Sequence, residues 1–141
     1  MLEKVGDRYS IAVETIVAAN ADTAWSCFMD PKQSAEFFFG ISFKSDLVKG
    51  HPIVWQGEWQ GQSFEDRGII LEIERPRLFR YDYVSSMAPE THYEVVYSFE
   101  TVPGGTRVAI KQSNASSREA AEHSEKNWTA MLDAIKSKLE R

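Results

Sequence analysis

The chain has 141 residues, sixteen basic and twenty-one acidic, for a formal net charge of −5, with 43% hydrophobic and 26% charged residues. That composition is ordinary for one soluble globular domain, here spanning 1–141. The acidic balance argues against phosphate backbones and anionic lipid surfaces, so no nucleic-acid and no membrane partner is expected.

The opening stretch MLEKVGDRYSIAVETIV mixes charges among its apolar residues and lacks the apolar core of a signal peptide. No run approaches the roughly 18 apolar residues of a membrane span. Cys27 is the single cysteine, which rules out an internal disulfide and fits a buried, reduced thiol in a cytoplasmic protein. Asn114-Ala-Ser116 and Asn127-Trp-Thr129 match the glycosylation pattern, which carries no meaning without secretion.

RYSIAVETIVAA reads as a strand, with Tyr9, Ile11, Val13, Thr15 and Val17 on one face. Asn20 or Asp22 then caps a short helix whose apolar side is Trp25, Phe28 and Met29. Asp30-Pro31 opens a second short helix that ends near Gly40. From residue 41 to 114 the apolar period is two, and six strands are expected. ISFKSDL and IVWQGEW are the first two. Gln60-Gly61 is a tight turn into SFEDRGIILEIE, where Gly68 points to a bulge or sharp bend. RLFRYDYV, HYEVVYSFE and TRVAIKQSN follow, separated by the SSMAPE loop and the VPGGT hairpin turn. Ser116 or Ser117 starts a long last helix. Its stripe is Trp128, Met131, Leu132, Ile135 and Leu139, at offsets of 3, 4, 7 and 11.

Short turns make the middle strands antiparallel neighbours, and such a sheet has one apolar face to cover. The last helix is the one long amphipathic element, so its stripe should lie on that face. A strongly curved sheet around one helix leaves a hollow unless large side chains fill it. Upstream of Trp128 the helix carries only Ala120, Ala121 and Ser124 at helical spacing, so the gap is expected under its first half. Four Trp, five Tyr and eight Phe supply a lining, although ring packing in a plain core explains the same stripe. The candidate lining from the short helices is Trp25, Phe28, Phe37, Phe38 and Phe39. The strands offer Phe43, Trp55, Trp59, Arg67, Tyr81, Tyr83, Tyr93 and Tyr97, and the last helix offers Ser124 and Trp128. Three consecutive Phe at 37–39 cannot all face one core, so at least one should be exposed or edge a cavity mouth. For Arg67 two readings stay open. With Ile69, Leu71 and Ile73 inward it is inward too and needs an anionic partner; if Gly68 flips the phase it is solvated.

Reaction chemistry finds little support. His51, His92 and His123 lie in different segments without ligand spacing, so no metal is expected. There is no nucleophile motif and no phosphate loop, so neither catalytic residues nor cofactor are assigned.

SIAVETIVAANADTAWSCFMDP resembles the opening strand and paired short helices of the START-like (SRPBCC, birch-pollen-allergen-type) superfamily, and GIILEIERPRLFRYDY resembles its central hairpin. GTRVAIKQSN followed by NWTAMLDAIKSKLE resembles the ending of the branch of homologues of the activator of the heat-shock protein 90 ATPase. The resemblance implies an α+β helix-grip fold: a curved antiparallel sheet in the order β-α-α-β6-α, wrapped around the C-terminal helix with a cavity between. Trp25, Trp128, Met131 and Leu132 match the branch pattern, whereas Asn127 stands where glycine is common and Phe-Phe-Phe replaces a frequent Trp. The superfamily binds apolar molecules, and some branches catalyse cyclisation or hydrolysis.

The expected function is binding of a small hydrophobic or amphipathic molecule. The alternatives are a cyclase- or hydrolase-type enzyme in the same cavity, or a chaperone-ATPase-interacting module. For the last, the activator's action also depends on a further domain not expected within 141 residues. A small apolar molecule is the expected partner, and the protein is expected to be a monomer or, through an exposed sheet edge, a weak homodimer.

Overall fold

The computed structural model describes residues 2–86 and 90–140, the side chain of Trp59 excepted. Residues 87–89 of the expected SSMAPE loop lie outside the described residues. The elements in chain order are β1 (Leu2–Val5), β2 (Arg8–Val17), α1 (Ala21–Met29), α2 (Pro31–Phe37), β3 (Ser42–Lys44), β4 (Pro52–Trp59), β5 (Gln62–Glu74), β6 (Leu78–Val84), β7 (His92–Val102), β8 (Gly105–Ala115) and α3 (Arg118–Leu139). The strands form one antiparallel sheet in the order β1-β2-β8-β7-β6-β5-β4-β3. With α3 against its face, this is the helix-grip architecture, an α+β fold.

The helices start where the sequence offers caps. The Thr23 amide donates to Asn20 Oδ1 at 2.8 Å, the Lys32 amide to Asp30 Oδ1 at 3.0 Å, and the Ala120 amide to Ser117 Oγ at 3.1 Å. Each satisfies an orphan donor of a first turn. The strand pattern adds one element to the expected order, β1. Its four residues leave Leu2 half-buried and the rest exposed, so no apolar alternation marks it. It pairs with β2 because Gly6, at φ 65°, turns the chain back on itself.

The expectation of a bulge at Gly68 is corrected. On β5 Asp66, Gly68 and Ile70 face inward, and the register with β6 slips between Ile70 and Glu72. Gly68 has a different role. A Cβ there would lie 2.1 Å from the Asp82 carbonyl oxygen and 3.1 Å from the Trp55 ring, so glycine lets the strands and the indole close up.

α3 runs close to β2, with β8 and β1 beside it and α2 near its end. Lys138 Nζ donates to Glu36 of α2 at 2.6 Å, and Lys136 Nζ to the Ile16 carbonyl at 2.8 Å. Met131, Leu132 and Ile135 are buried in the main core with α1 and the inward residues of β6–β8. Ala121 is buried in a separate small cluster with Ile11 and Ala115. The helix is therefore seated on one flank of the sheet, and β4–β7 curve away from its first half.

Candidate functional site: a cavity under the first half of the last helix

Between α3 and the inward face of β4–β8 lies a cavity of about 480 Å³. Its roof is His123, Ser124, Asn127, Trp128 and Met131, the i, i+3, i+4 and i+7 spacing of one helix face with His123 at its rim. Its floor follows from the two-residue period of the strands. β4 contributes Trp55, β5 Asp66, β6 Tyr81 and Tyr83, β7 Tyr93 and Val95, and β8 Gln112. Phe38, Phe39 and Ile41, just past α2, and Ser85, just past β6, complete the lining.

Three polar arrangements punctuate it. The buried Asp66 carboxylate accepts from the Ser86 backbone N–H at 2.8 Å through Oδ1 and from the Tyr83 hydroxyl through Oδ2. The Tyr81 and Tyr97 hydroxyls share a hydrogen bond of 2.7 Å. Gln112 accepts from Trp128 Nε1 at 2.8 Å and donates to Ser124 Oγ at 3.2 Å, stapling the helix to β8 across the cavity wall. Burial pushes the Tyr81, Tyr83 and Tyr97 phenols above their ordinary pKa, and for Tyr83 the hydrogen bond to Asp66 adds to the effect. They therefore stay neutral hydrogen-bonding groups around neutral pH. Burial likewise raises the Cys27 thiol, which makes it a poor nucleophile.

The structure brings Phe38, Phe39, Trp55, Tyr81, Tyr83, Tyr93, Ser124 and Trp128 together around this cavity. The other lining candidates lie elsewhere. Trp25 is core, packing edge-on against Phe79 and Phe99 with centroids 6.4 and 5.4 Å away. Phe28, Phe43 and Tyr97 border a second hollow of about 10 Å³, roughly one water's worth of space. Phe37 is buried with the Lys138 ammonium 5.3 Å from its ring centroid. Of the two readings of Arg67 the structure takes the solvated one, so it does not line the cavity: its side chain is 73% exposed and pairs with Glu65 at 2.6 Å, because the inward phase runs through Asp66, Gly68 and Ile70. The Trp59 side chain lies outside the described residues. Among the small residues of α3, Ala121 seats the helix and Ala120 faces an outer depression, so of the three only Ser124 lines the cavity.

Ile41, Val95, Gln112, His123 and Asn127 join the lining without being among the candidates, and Asp66 is the carboxylate that sequence reasoning misses. A signal for it exists. Gln60 and Gly61, at φ 51° and 79°, make the two-residue hairpin turn expected there. Counting outward from it pairs Trp59 with Gln62 and Trp55 with Asp66, the observed register. Directly paired residues share a face, so an inward Trp55 places Asp66 inward.

Among the described residues no group of three or more His, Cys, Asp or Glu is placed to hold a metal ion, and no helix is long and apolar enough to cross a membrane. Residues 18–140 match the family described as Activator of Hsp90 ATPase homolog 1-like protein. The chain belongs to this family. The solution structure of ChR145 from Cytophaga hutchinsonii is 31% identical, with a TM-score of 0.81 and 93% of each chain covered. The crystal structure of MLL2253 from Mesorhizobium loti shares the fold at 18% identity, with a TM-score of 0.78 over 94% of this chain and 97% of that one. So does CalU16 from Micromonospora echinospora, at 23% identity and a TM-score of 0.72, covering 95% of this chain and 79% of that one. No curated protein matches the chain.

Proposed function

We propose that this family member binds a small hydrophobic or amphipathic molecule in the cavity under α3 and holds it without transforming it. The observation that carries this is the large hollow between α3 and the inward face of the sheet. At about 480 Å³ it falls within the range of small-molecule pockets, roughly 300–1,000 Å³. Its lining is rings and aliphatic side chains, with polar groups at a few fixed points. Burying the ligand's apolar area supplies roughly 25 cal/mol per Å². The neutral tyrosines orient the guest by hydrogen bonds.

The test loads the purified protein with fatty acids, sterols, flavonoids, polyketides and amphipathic amines, and follows thermal stability and the NMR signals of the lining residues. A binder present at 100 times its Kd stabilises the fold by about 2.7 kcal/mol, a readily measured rise in Tm. Ser124→Phe, which projects a ring into the cavity, should remain folded and lose that rise. A panel in which no compound shifts either signal would remove the binding reading.

A further inference from the structure

One wall of the cavity restricts the chemistry of a guest, if the binding reading above holds. Asp66 is only 6% exposed, and its carboxylate lines the cavity. Among the described residues its donors are the Tyr83 hydroxyl and the Ser86 N–H, both neutral. Among the described residues no lysine or arginine lines the cavity, and none ion-pairs with Asp66. The adjacent Arg67 is turned outward onto Glu65. A carboxylate offers about four acceptor positions, so two neutral donors leave capacity for a guest.

Aromatic rings flank the same wall. Trp55 is the cross-strand partner of Asp66, and its ring centroid lies 5.0 Å from those of both Tyr81 and Tyr83. Tyr83 lies 6.3 Å from Tyr93. Aromatic faces are negative and attract cations. A buried carboxylate beside such faces favours positive charge and penalises a second anion. Apolar contact comes from Phe38, from Trp128 and Met131 in the α3 roof beside the polar His123, Ser124 and Asn127, and from Val95 on the floor next to Tyr81.

We propose that the cavity selects amphipathic organic cations, an aryl or alkyl ammonium whose N–H groups donate to Asp66 while its apolar body lies beneath α3, and that it rejects carboxylates of the same skeleton.

Isothermal titration calorimetry at neutral pH with two matched sets decides it: naphthylethylamine, naphthylethanol and naphthylacetate, and decylamine, decanol and decanoate. Within each set the amine should bind about tenfold or more tighter than the alcohol, the size expected of a charge-assisted hydrogen bond, with the carboxylate weakest. In Asp66→Asn the advantage of the amine should shrink to within about threefold, because the isosteric amide keeps the shape and loses the charge. If amine, alcohol and acid bind the wild-type protein equally, or the acid binds best, the cation inference falls while the binding reading stands. If none of the six binds while a compound of the wider panel does, the cation inference falls and the binding reading stands; if that panel is silent too, both fall. The wild-type ranking is decisive even if the variant does not fold.

Discussion

The two halves of α3 share one backbone and one face yet do opposite things. From Met131 to Ile135 the stripe is buried among rings from α1 and the sheet, with Met131 and Leu132 2% exposed and Ile135 fully covered. From Ala121 to Asn127 the helix meets the sheet through small side chains, Ala121 packed with Ile11 and Ala115 and Ser124 hydrogen-bonded to Gln112, and its neighbouring face roofs a cavity. The difference teaches that side-chain size along one helix suffices to separate stability from room for a guest. The curved sheet presents similar aromatic residues to both halves. Only the second half answers them with bulk.

Substitution should expose that division most plainly at its tight end. Leu132→Ala removes a fully packed side chain where the surroundings cannot collapse, at an expected cost of about 2–5 kcal/mol. Urea unfolding would show it as a lower midpoint with an unchanged slope. A loss under about 1 kcal/mol would mean that this half is packed as loosely as the other.

Trp128 stands at the boundary, and its substitution should cost less. Its Nε1 donates to Gln112, while its ring lies 5.9 Å from Tyr97 and 6.1 Å from Phe38. Trp128→Phe keeps a ring and leaves the Gln112 oxygen without its donor, at about 1–2 kcal/mol. Adding Gln112→Leu removes the orphaned acceptor, so the double variant should recover part of that loss. If the double variant is no more stable than Trp128→Phe alone, shape rather than the hydrogen bond sets the role of Trp128.

The fold is legible because its signals are local and redundant. Caps at Asn20, Asp30 and Ser117, a two-residue alternation over 41–114 and one amphipathic stripe point to the same architecture. The position of the hollow is legible through Ser124, a small residue just upstream of Trp128. The floor is harder to read, since it depends on strand register rather than on composition. Arg67 and Asp66 are neighbours, and a shift of one residue exchanges them between solvent and cavity. Gly68 has the look of a bulge, but the slip occurs between Ile70 and Glu72, and the glycine serves the close approach of Trp55. β1 is invisible in the pattern because its residues are mostly exposed and its pairing is set by a turn rather than by burial. Trp25, Phe37 and Phe43 show the remaining limit. Aromatic residues mark an interior, and which of them borders the void depends on distances that no periodicity contains.

The smallest expected effect on stability falls at the entrance, in the Phe37–Phe39 run. Phe37 is buried, Phe38 touches Trp128 and Phe28, and Phe39 is 69% exposed at the cavity rim. Phe39 also holds φ 57°, a left-handed conformation that costs a non-glycine residue of the order of 1 kcal/mol. Phe39→Gly relieves that strain but adds freedom to the unfolded chain, and an exposed ring gives up little burial. The terms nearly cancel, so stability should change by less than about 1 kcal/mol. Ligand exchange should respond more strongly, because the ring stands at the opening. With a bound fluorescent probe, stopped-flow displacement should show faster dissociation from Phe39→Gly and little change from Val48→Ala, an exposed control away from the lining. An unchanged dissociation rate would make Phe39 a bystander at the rim. A loss of several kcal/mol would instead place it with the tightly packed half of the molecule.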